Sequence, residues 1–306
     1  MSLRVGSLVY KAGKTLKITS LVRNVQRYFF HDEYIRLKSN RVTQVMLSVL
    51  YKDLLSRRTP LPSFEDIEFR AFSQNGEDGI LLYIFALIGT TNKKCVEICG
   101  GDGLECNTAN LVINHGWRGL LFDGNKKLVE KGRRFYARCP DTWLWPPKLV
   151  HAWITTDNVN ALIEEQGFSG EIDLLSLDMD GVDYWVWQAI ECIKPRVVVL
   201  EYNNLLGPDA SLTVPCKPDF QTPTENEPLM NYYGASLPAF AKLAKQKGYR
   251  LVGCEQYGFN AFFVRSGIGE DMLPEVSVST CFDHPFAQHA MEVRRVKVAD
   301  REWVEV

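Results

Sequence analysis

Three carboxylates in the middle of the chain have the residue types and spacing of a catalytic or metal-binding group. Asp178 and Asp180 follow the apolar run "IDLLSL", and Glu201 ends the next run, "RVVVLE". Side chains two apart in an extended strand project to one side, and an aspartate buried after such a run is costly without a partner. A carboxylate so placed suits a general base, and three together suit Mg²⁺. We predict a catalytic group of Asp178, Asp180 and Glu201, acting alone or through Mg²⁺.

A second set of residues that could do chemistry lies in "VEICGGDGLECN", residues 96–107. Its three glycines allow a tight turn and close approach of a ligand to the backbone, and a helix start would follow. Asp123 ends the next apolar run 20 residues after Gly103, where nucleotide-binding folds place the carboxylate that binds ribose hydroxyls. NAD and S-adenosylmethionine both fit this pattern. Cys106, in place of the third glycine of the dinucleotide fingerprint, favours S-adenosylmethionine, which has no pyrophosphate.

The elements that must position these residues alternate between short apolar runs and segments of helical length. This alternation predicts an α/β fold with a mostly parallel sheet covered on both faces. Two later runs, residues 249–256 and 260–266, are close enough to pair as a C-terminal antiparallel hairpin. The five predicted parallel strands are residues 95–99, 119–124, 148–154, 173–180 and 196–202.

The chain resembles a known family in several of these motifs. "VEICGGDG" is similar to the first motif of class I S-adenosylmethionine-dependent methyltransferases, with Cys99 in place of the first glycine. The resemblance is closest to the FkbM-type group and related sugar and glycan O-methyltransferases. It rests also on "FSQNGEDGIL", "GWRGLLFDGN", "LDMDGVDYWVW" and "YYGASLPAFAKLAKQKGYRLVGC", and covers about residues 64–265. It implies a Rossmann-like, seven-stranded sheet with one antiparallel strand.

The resemblance also assigns cofactor roles. It places Glu97, Gly101 and Gly103 at the methionine end, Asp123 at the ribose, and Ile154 and Thr155 at the adenine. The helix start in "SQNGED" lies beside the cofactor by the same resemblance, although simple N-capping explains it equally well. The full cofactor-binding set is Gln74, Glu77, Asp78, Glu97, Gly101, Gly103, Asp123, Ile154, Thr155 and Asp178.

Aromatic and amide side chains after the fifth strand are candidates for the acceptor site, because they suit sugar rings. The predicted substrate residues are Tyr202, Asn203, Tyr232 and Tyr233. His284 and His289 are alternative bases. For Asp183 two interpretations stay open: a fourth site carboxylate, or the cap of the following helix.

Charge is distributed unevenly along the chain. Residues 1–60 carry twelve Lys or Arg against three acidic residues, whereas the remaining 246 residues carry a net charge of −11. We predict a basic helical extension over residues 1–60, a methyltransferase domain over 61–268, and a tail over 269–306 that packs near the active site. The extension is suited to membrane-surface contact or to packing in a homo-oligomer.

The longest apolar run, residues 80–89, is about half of a membrane span, and the eight cysteines form no CxxC pair. We therefore expect a cytoplasmic protein with reduced thiols. No nucleic acid is expected as a partner. The predicted activity is S-adenosylmethionine-dependent O-methylation of a hydroxyl on a sugar, glycan or related small molecule. The alternatives are an NAD-dependent oxidoreductase and a non-catalytic protein that keeps the fold.

Overall fold

The computed structural model describes residues 41–222 and 231–306. It divides the chain into two units, residues 1–45 and 46–306. Of the first unit, residues 41–45 are described and are helical, so most of the predicted basic extension lies outside the described residues. Within the described part, no helix has the length and apolar character needed to cross a membrane.

A seven-stranded sheet organises the second unit. Its strands are β1 Lys94–Ile98, β2 Arg118–Asp123, β3 Lys148–His151, β4 Gly170–Leu177, β5 Ile193–Glu201, β7 Tyr249–Cys254 and β8 Asn260–Arg265; a separate pair is β6 Leu212–Thr213 and β9 Val304–Glu305. The order in the sheet is β3-β2-β1-β4-β5-β8-β7, and β8 alone runs antiparallel to its neighbours. The predicted Rossmann-like fold is confirmed: a seven-stranded, mostly parallel sheet with a C-terminal antiparallel hairpin.

Helices cover both faces of the sheet, as near-continuous apolar strands require. The described α-helices are α1 at residues 41–56, α2 Phe64–Ile67, α3 Glu77–Ile88, α4 Ala109–His115, α5 Lys126–Tyr136, α6 Val159–Glu165, α7 Asp183–Ala189, α8 Leu237–Lys247 and α9 Pro285–Val293. The core lies where β4, β5 and β8 pack against α7 and α8, around the buried rings of Trp187, Phe240 and Phe263.

The winding of the sheet determines where a ligand can bind. The chain runs outward from β1 to β3 and then returns to the other side of β1 with β4. The crevice at such a reversal, outside the carboxyl ends of the strands, is the usual ligand site of this architecture. The glycine turn after Ile98 and the aspartates after Leu177 both lie at this edge.

Two strands end earlier than the sequence pattern predicts. β3 ends at His151 and β4 ends at Leu177, each three residues before the predicted boundary. After β4 the backbone turns, and Asp180 has φ +51°. The alternation of side chains in an extended strand therefore does not position Asp180, and a turn does so instead.

The C-terminal residues fold back onto the end of β5. The hydroxyl of Tyr202 donates to the carbonyl of Cys281 at 3.0 Å, and the ring of Trp303 packs edge-on against Tyr232. β9 pairs antiparallel with β6, which was not predicted. A two-residue strand has no periodicity from which it could be recognised.

Candidate functional site

A tight turn follows β1 and is fastened to the end of β2. The N–H groups of Cys99 and Gly100 both donate to the carbonyl of Phe122, at 2.9 and 3.1 Å. The N–H of Gly101 donates to Oδ2 of Asp123 at 2.8 Å. These three bonds hold the glycine turn and the Asp123 carboxylate together at one edge of the sheet.

Cys99 adopts a left-handed backbone conformation that favours glycine. Its φ is +65°, close to the +58° of Gly101 and the +73° of Gly103. A side chain in this left-handed region costs about 1–2 kcal/mol. The thiol packs against the core, so burial partly offsets that cost. The turn thus keeps the path that glycine would give it.

Asp123 is the hydrogen-bonding centre of the turn. Besides Gly101, its carboxylate accepts from the N–H of Asn125, through Oδ1 at 2.6 Å. Each carboxylate oxygen has two lone pairs, so both oxygens keep capacity for a hydroxyl donor. The side chain is half-buried and is therefore accessible to a ligand.

An exposed tryptophan beside Asp123 escaped the sequence analysis. Trp153 is 52% exposed, and a Cβ built on Gly124 would lie 3.1 Å from its Cε3 atom. Its Nε1–H donates to the carbonyl of Pro218 at 3.0 Å, which fixes the ring. An aromatic residue directly after the third strand was the available signal. The flat face offers a stacking surface for an adenine ring.

Glu97 and Gly103, two of the predicted cofactor residues, stabilise the turn through contacts in the protein interior. Glu97 is buried, and its Oε2 accepts from the N–H of Thr108 at 2.8 Å. Burial raises the pKa of Glu97. A Cβ on Gly103 would lie 2.8 Å from the Leu121 side chain, and the Tyr136 hydroxyl donates to the carbonyl of Gly103. Glu97 and Gly103 therefore make their contacts with other residues of the protein.

The residues at the start of α3 divide between surface and interior. Gln74 is exposed at the turn. Oδ2 of Asp78 accepts from the N–H groups of residues 71–73 at 2.6–2.8 Å, so this carboxylate shapes the loop before the helix. Oε1 of Glu77 accepts from Nδ2 of Asn260 at 2.8 Å, which joins α3 to β8.

The residues predicted at the adenine lie just beyond β3. The side chain of Ile154 is buried, whereas Thr155 is half-buried and donates its N–H to Oδ1 of Asn158 at 2.8 Å. Both follow Trp153 directly. The structure therefore places them at the same edge as Asp123, with the tryptophan ring as the exposed element.

The three predicted catalytic carboxylates meet at the carboxyl ends of β4 and β5. One oxygen from each of Asp178, Asp180 and Glu201 lies within 4.8 Å of the others. Among the described residues, no other group of three or more His, Cys, Asp or Glu side chains brings its ligand atoms so close together. Oxygen donors at this spacing fit a hard divalent cation such as Mg²⁺.

Burial perturbs the two inner carboxyl groups. Burial raises the pKa of Asp178 to about 6, although a hydrogen bond with Glu201 acts to lower this pKa. Burial raises the pKa of Glu201 well above its usual range, and the negative charge of Asp178 raises it further. The two carboxyl groups therefore titrate as a pair, and the pKa of Glu201 is raised further than that of Asp178.

Asp183 is the first residue of α7, after the N-cap Val182, and its side chain closes the turn between β4 and α7 without capping the helix. Its carboxylate accepts from the N–H of Met179 at 2.7 Å and of Gly181 at 2.9 Å. Burial raises the pKa of Asp183 to about 7. These bonds close the turn that directs Asp178 and Asp180 toward Glu201.

Of the predicted substrate residues, Tyr233 lies at the carboxylates, with its hydroxyl 3.5 Å from Oε1 of Glu201. Tyr202 is fully buried, and Tyr232 donates its hydroxyl to the carbonyl of Glu302 at 2.7 Å. Nδ2 of the buried Asn203 donates to the carbonyl of Tyr233 at 3.0 Å. Tyr202 and Asn203 are thus buried beneath the site and support the residues that line it.

The alternative bases lie in the C-terminal tail. Nδ1 of His284 accepts from the N–H of Phe286 at 3.1 Å and so caps α9. His289 lies on the exposed side of the same helix.

No family model matches the chain, and no curated protein matches it. Solved structures do match. Magnesium protoporphyrin IX methyltransferase from Synechocystis PCC 6803 is 11% identical over 62% of this chain and 78% of that chain, with a TM-score of 0.37. A methyltransferase from Clostridium acetobutylicum ATCC 824 is 11% identical over 61% and 89%, also at 0.37. The mitomycin 7-O-methyltransferase MmcR is 15% identical over 62% and 53%, at 0.38. Likeness at this level concerns the fold and extends to no substrate.

Proposed function

We propose that this chain is an S-adenosylmethionine-dependent methyltransferase that acts on a hydroxyl of a sugar, glycan or related small molecule. The observation that carries the proposal is the pairing of two features at one edge of the sheet. Asp123 and the glycine turn lie together at the ends of β1 and β2, and the carboxylates Asp178, Asp180 and Glu201 meet at the ends of β4 and β5. A bound cofactor between them would have a ribose partner on one side and a proton acceptor on the other.

The turn favours S-adenosylmethionine over a dinucleotide. In a dinucleotide site the glycines open directly into a helix whose N-terminus holds the pyrophosphate. Here α4 begins at Ala109, six residues after Gly103, and the buried Cys106 occupies part of the interval. The helix start is therefore not presented at the glycines. Asp123, with Trp153 beside it, instead suits a single nucleoside.

The carboxylates supply the proton chemistry that methylation of a hydroxyl needs. When bound, S-adenosylmethionine would supply its methyl carbon to in-line attack by the acceptor oxygen, and the C–S electron pair would return to sulfur to give S-adenosylhomocysteine. The hydroxyl proton would pass to Asp178, whose pKa of about 6 leaves it ionised at neutral pH. Alignment of the two reactants contributes about 7–11 kcal/mol in favourable cases.

The same three side chains are the ones that would hold Mg²⁺. Their oxygens have the donor chemistry and the spacing for it. A bound divalent ion would lower the pKa of the acceptor hydroxyl and stabilise the developing alkoxide. Asp178 and Glu201 would then be ligands in their deprotonated form.

The direct test is calorimetric titration of the full chain with S-adenosylhomocysteine, with NAD as the control ligand. We expect saturable binding of S-adenosylhomocysteine with one site per chain and no binding of NAD. Binding of NAD alone would replace the proposal with an oxidoreductase. Binding of neither ligand by the folded chain would indicate a non-catalytic protein with this fold.

A further inference from the structure

A loop at the opposite edge of the sheet exposes its apolar residues and buries a polar one. Residues 142–147, here termed the tryptophan loop, form the second half of the connection from α5 to β3. Trp143, Leu144 and Trp145 are 57%, 75% and 68% exposed, whereas Thr142 is 3% exposed. Two tryptophans and a leucine side by side on a surface are unfavourable in water, so this arrangement indicates a surface that contacts another phase or partner.

The loop is held in this orientation by hydrogen bonds. Oγ1 of Thr142 donates to the carbonyl of Tyr136 at 2.8 Å. The N–H of Trp143 donates to the carbonyl of Cys139 at 2.9 Å, and the N–H of Trp145 to that of Thr142 at 3.0 Å. The buried polar anchor therefore turns the apolar side chains outward. Their exposure is built into the fold.

Basic residues lie next to the loop at the starts of three adjacent strands. β1, β2 and β3 begin with Lys94, Arg118 and Lys148, here termed the basic row. Lys94 and Arg118 are register partners, and β3 pairs with β2 on its other side. The guanidinium of Arg118 lies 5.5 Å from the Trp145 ring centre, so the basic row and the loop form one surface. The loop itself contains no acidic residue.

We propose that the tryptophan loop and the basic row form a docking surface for an anionic lipid bilayer. Tryptophan and leucine insert into the headgroup region, where the indole N–H stays hydrated and the ring is apolar. Lysine and arginine beside them bind lipid phosphates and keep their charge in water. The basic row beside the apolar loop favours an extended surface that combines apolar and negatively charged groups, which an anionic bilayer presents.

The position of this surface also fixes the orientation of the docked protein. Arg118 begins β2 and Asp123 ends it, so the two residues lie roughly 16 Å apart along the strand. The docking surface occupies the amino ends of the strands, and the candidate site occupies the carboxyl ends. The docked chain would therefore present the candidate site to the aqueous side. This inference does not depend on the proposed function.

The test is sedimentation of the full chain with sucrose-loaded vesicles, either phosphatidylcholine alone or phosphatidylcholine mixed with phosphatidylglycerol. We expect binding to the mixed vesicles that weakens as salt is added. Trp143→Ala with Trp145→Ala should lower the partition coefficient about tenfold or more. Arg118→Gln with Lys148→Gln should lower it by a similar factor.

Matched variants at the other edge provide the controls. Trp153→Ala removes an exposed tryptophan, and Lys126→Gln with Lys127→Gln removes two exposed lysines, without touching the surface. Both should bind mixed vesicles as the wild type does. No binding by the wild type would overturn the proposal. Equal binding by the loop variants and the wild type would overturn it too, because the affinity would then belong to another segment such as residues 1–40. Self-association that the loop variants abolish without vesicles would also overturn it, in favour of a second copy.

Discussion

The backbone N–H of Gly101 donates a hydrogen bond of 2.8 Å to Oδ2 of Asp123, which joins the turn after β1 to the end of β2. The same carboxylate accepts from the N–H of Asn125 at 2.6 Å. Asp123 therefore shapes the two loops that border the proposed nucleoside site and retains lone pairs for a ligand. Its replacement should affect binding more than folding.

Replacing Asp123 by Ala should weaken S-adenosylhomocysteine binding at least tenfold. The change removes a charged acceptor of ribose hydroxyls, and each such bond contributes about 1.5–3 kcal/mol. Calorimetry measures the dissociation constant, and thermal unfolding checks that the variant is folded. Asp157→Ala, at an exposed aspartate after β3, is the matched control and should bind as the wild type does. An unchanged dissociation constant in folded Asp123→Ala protein would place the ribose elsewhere.

Asp178→Asn should lower turnover about a hundredfold or more while leaving cofactor affinity nearly intact. The amide keeps the shape of the side chain and removes its capacity to accept the hydroxyl proton. The measurement is methyl transfer to a verified acceptor under saturating cofactor. Asp180→Asn tests the outer carboxylate in the same assay, and wild-type rates in both variants would make the cluster structural.

Chelation separates the two roles of the carboxylates. If they hold Mg²⁺, EDTA should abolish turnover and added Mg²⁺ should restore it. If Asp178 acts as the base itself, EDTA should leave the rate unchanged, and turnover should fall below about pH 6 as Asp178 becomes protonated. A pH profile that is flat from pH 5 to 8 in EDTA would contradict the base role.

Glu68 should make the protein less stable as the pH rises toward 8. Burial, with repulsion from Glu255, raises its pKa from 4.5 to about 7. A carboxyl group whose pKa is raised by folding stabilises the folded state fully below its unfolded pKa, and this contribution is lost as the pH rises through about 7. The difference in melting temperature between the wild type and Glu68→Gln should therefore shift in favour of Glu68→Gln as the pH rises from 4.5 to 8. A constant difference over that range would show that the Glu68 pKa is not shifted.

Cys99→Gly should be more stable than Cys99→Ala, although glycine is usually the less stable of the two. At φ +65° a Cβ costs about 1–2 kcal/mol, whereas glycine adopts this conformation freely. Both variants remove the thiol, so their difference isolates the backbone cost. Urea unfolding should give a difference of about 1 kcal/mol. As a control, Gly101→Ala at φ +58° should lose a similar amount relative to wild type. Equal stability of the two Cys99 variants would contradict the strain.

The amino-acid sequence by itself determined the sheet and the edge at which the candidate site lies. Apolar runs that alternate with helical segments form parallel strands, and the close spacing of the last two runs produces the hairpin. The glycines and Asp123 could be located for the same reason, since both follow directly from the ends of such runs. These are local properties, and neighbouring residues suffice to fix them.

Tertiary structure alone decided which side chains face the site. Asp180 reaches Glu201 because a turn closed by Asp183 redirects the chain, and no periodicity encodes that turn. Tyr202 is buried because residues near Cys281, about 80 positions later, fold over it. The tryptophan loop is exposed because Thr142, not its apolar neighbours, bonds to the end of α5. Exposure depends on contacts between distant segments, and the local sequence does not contain them.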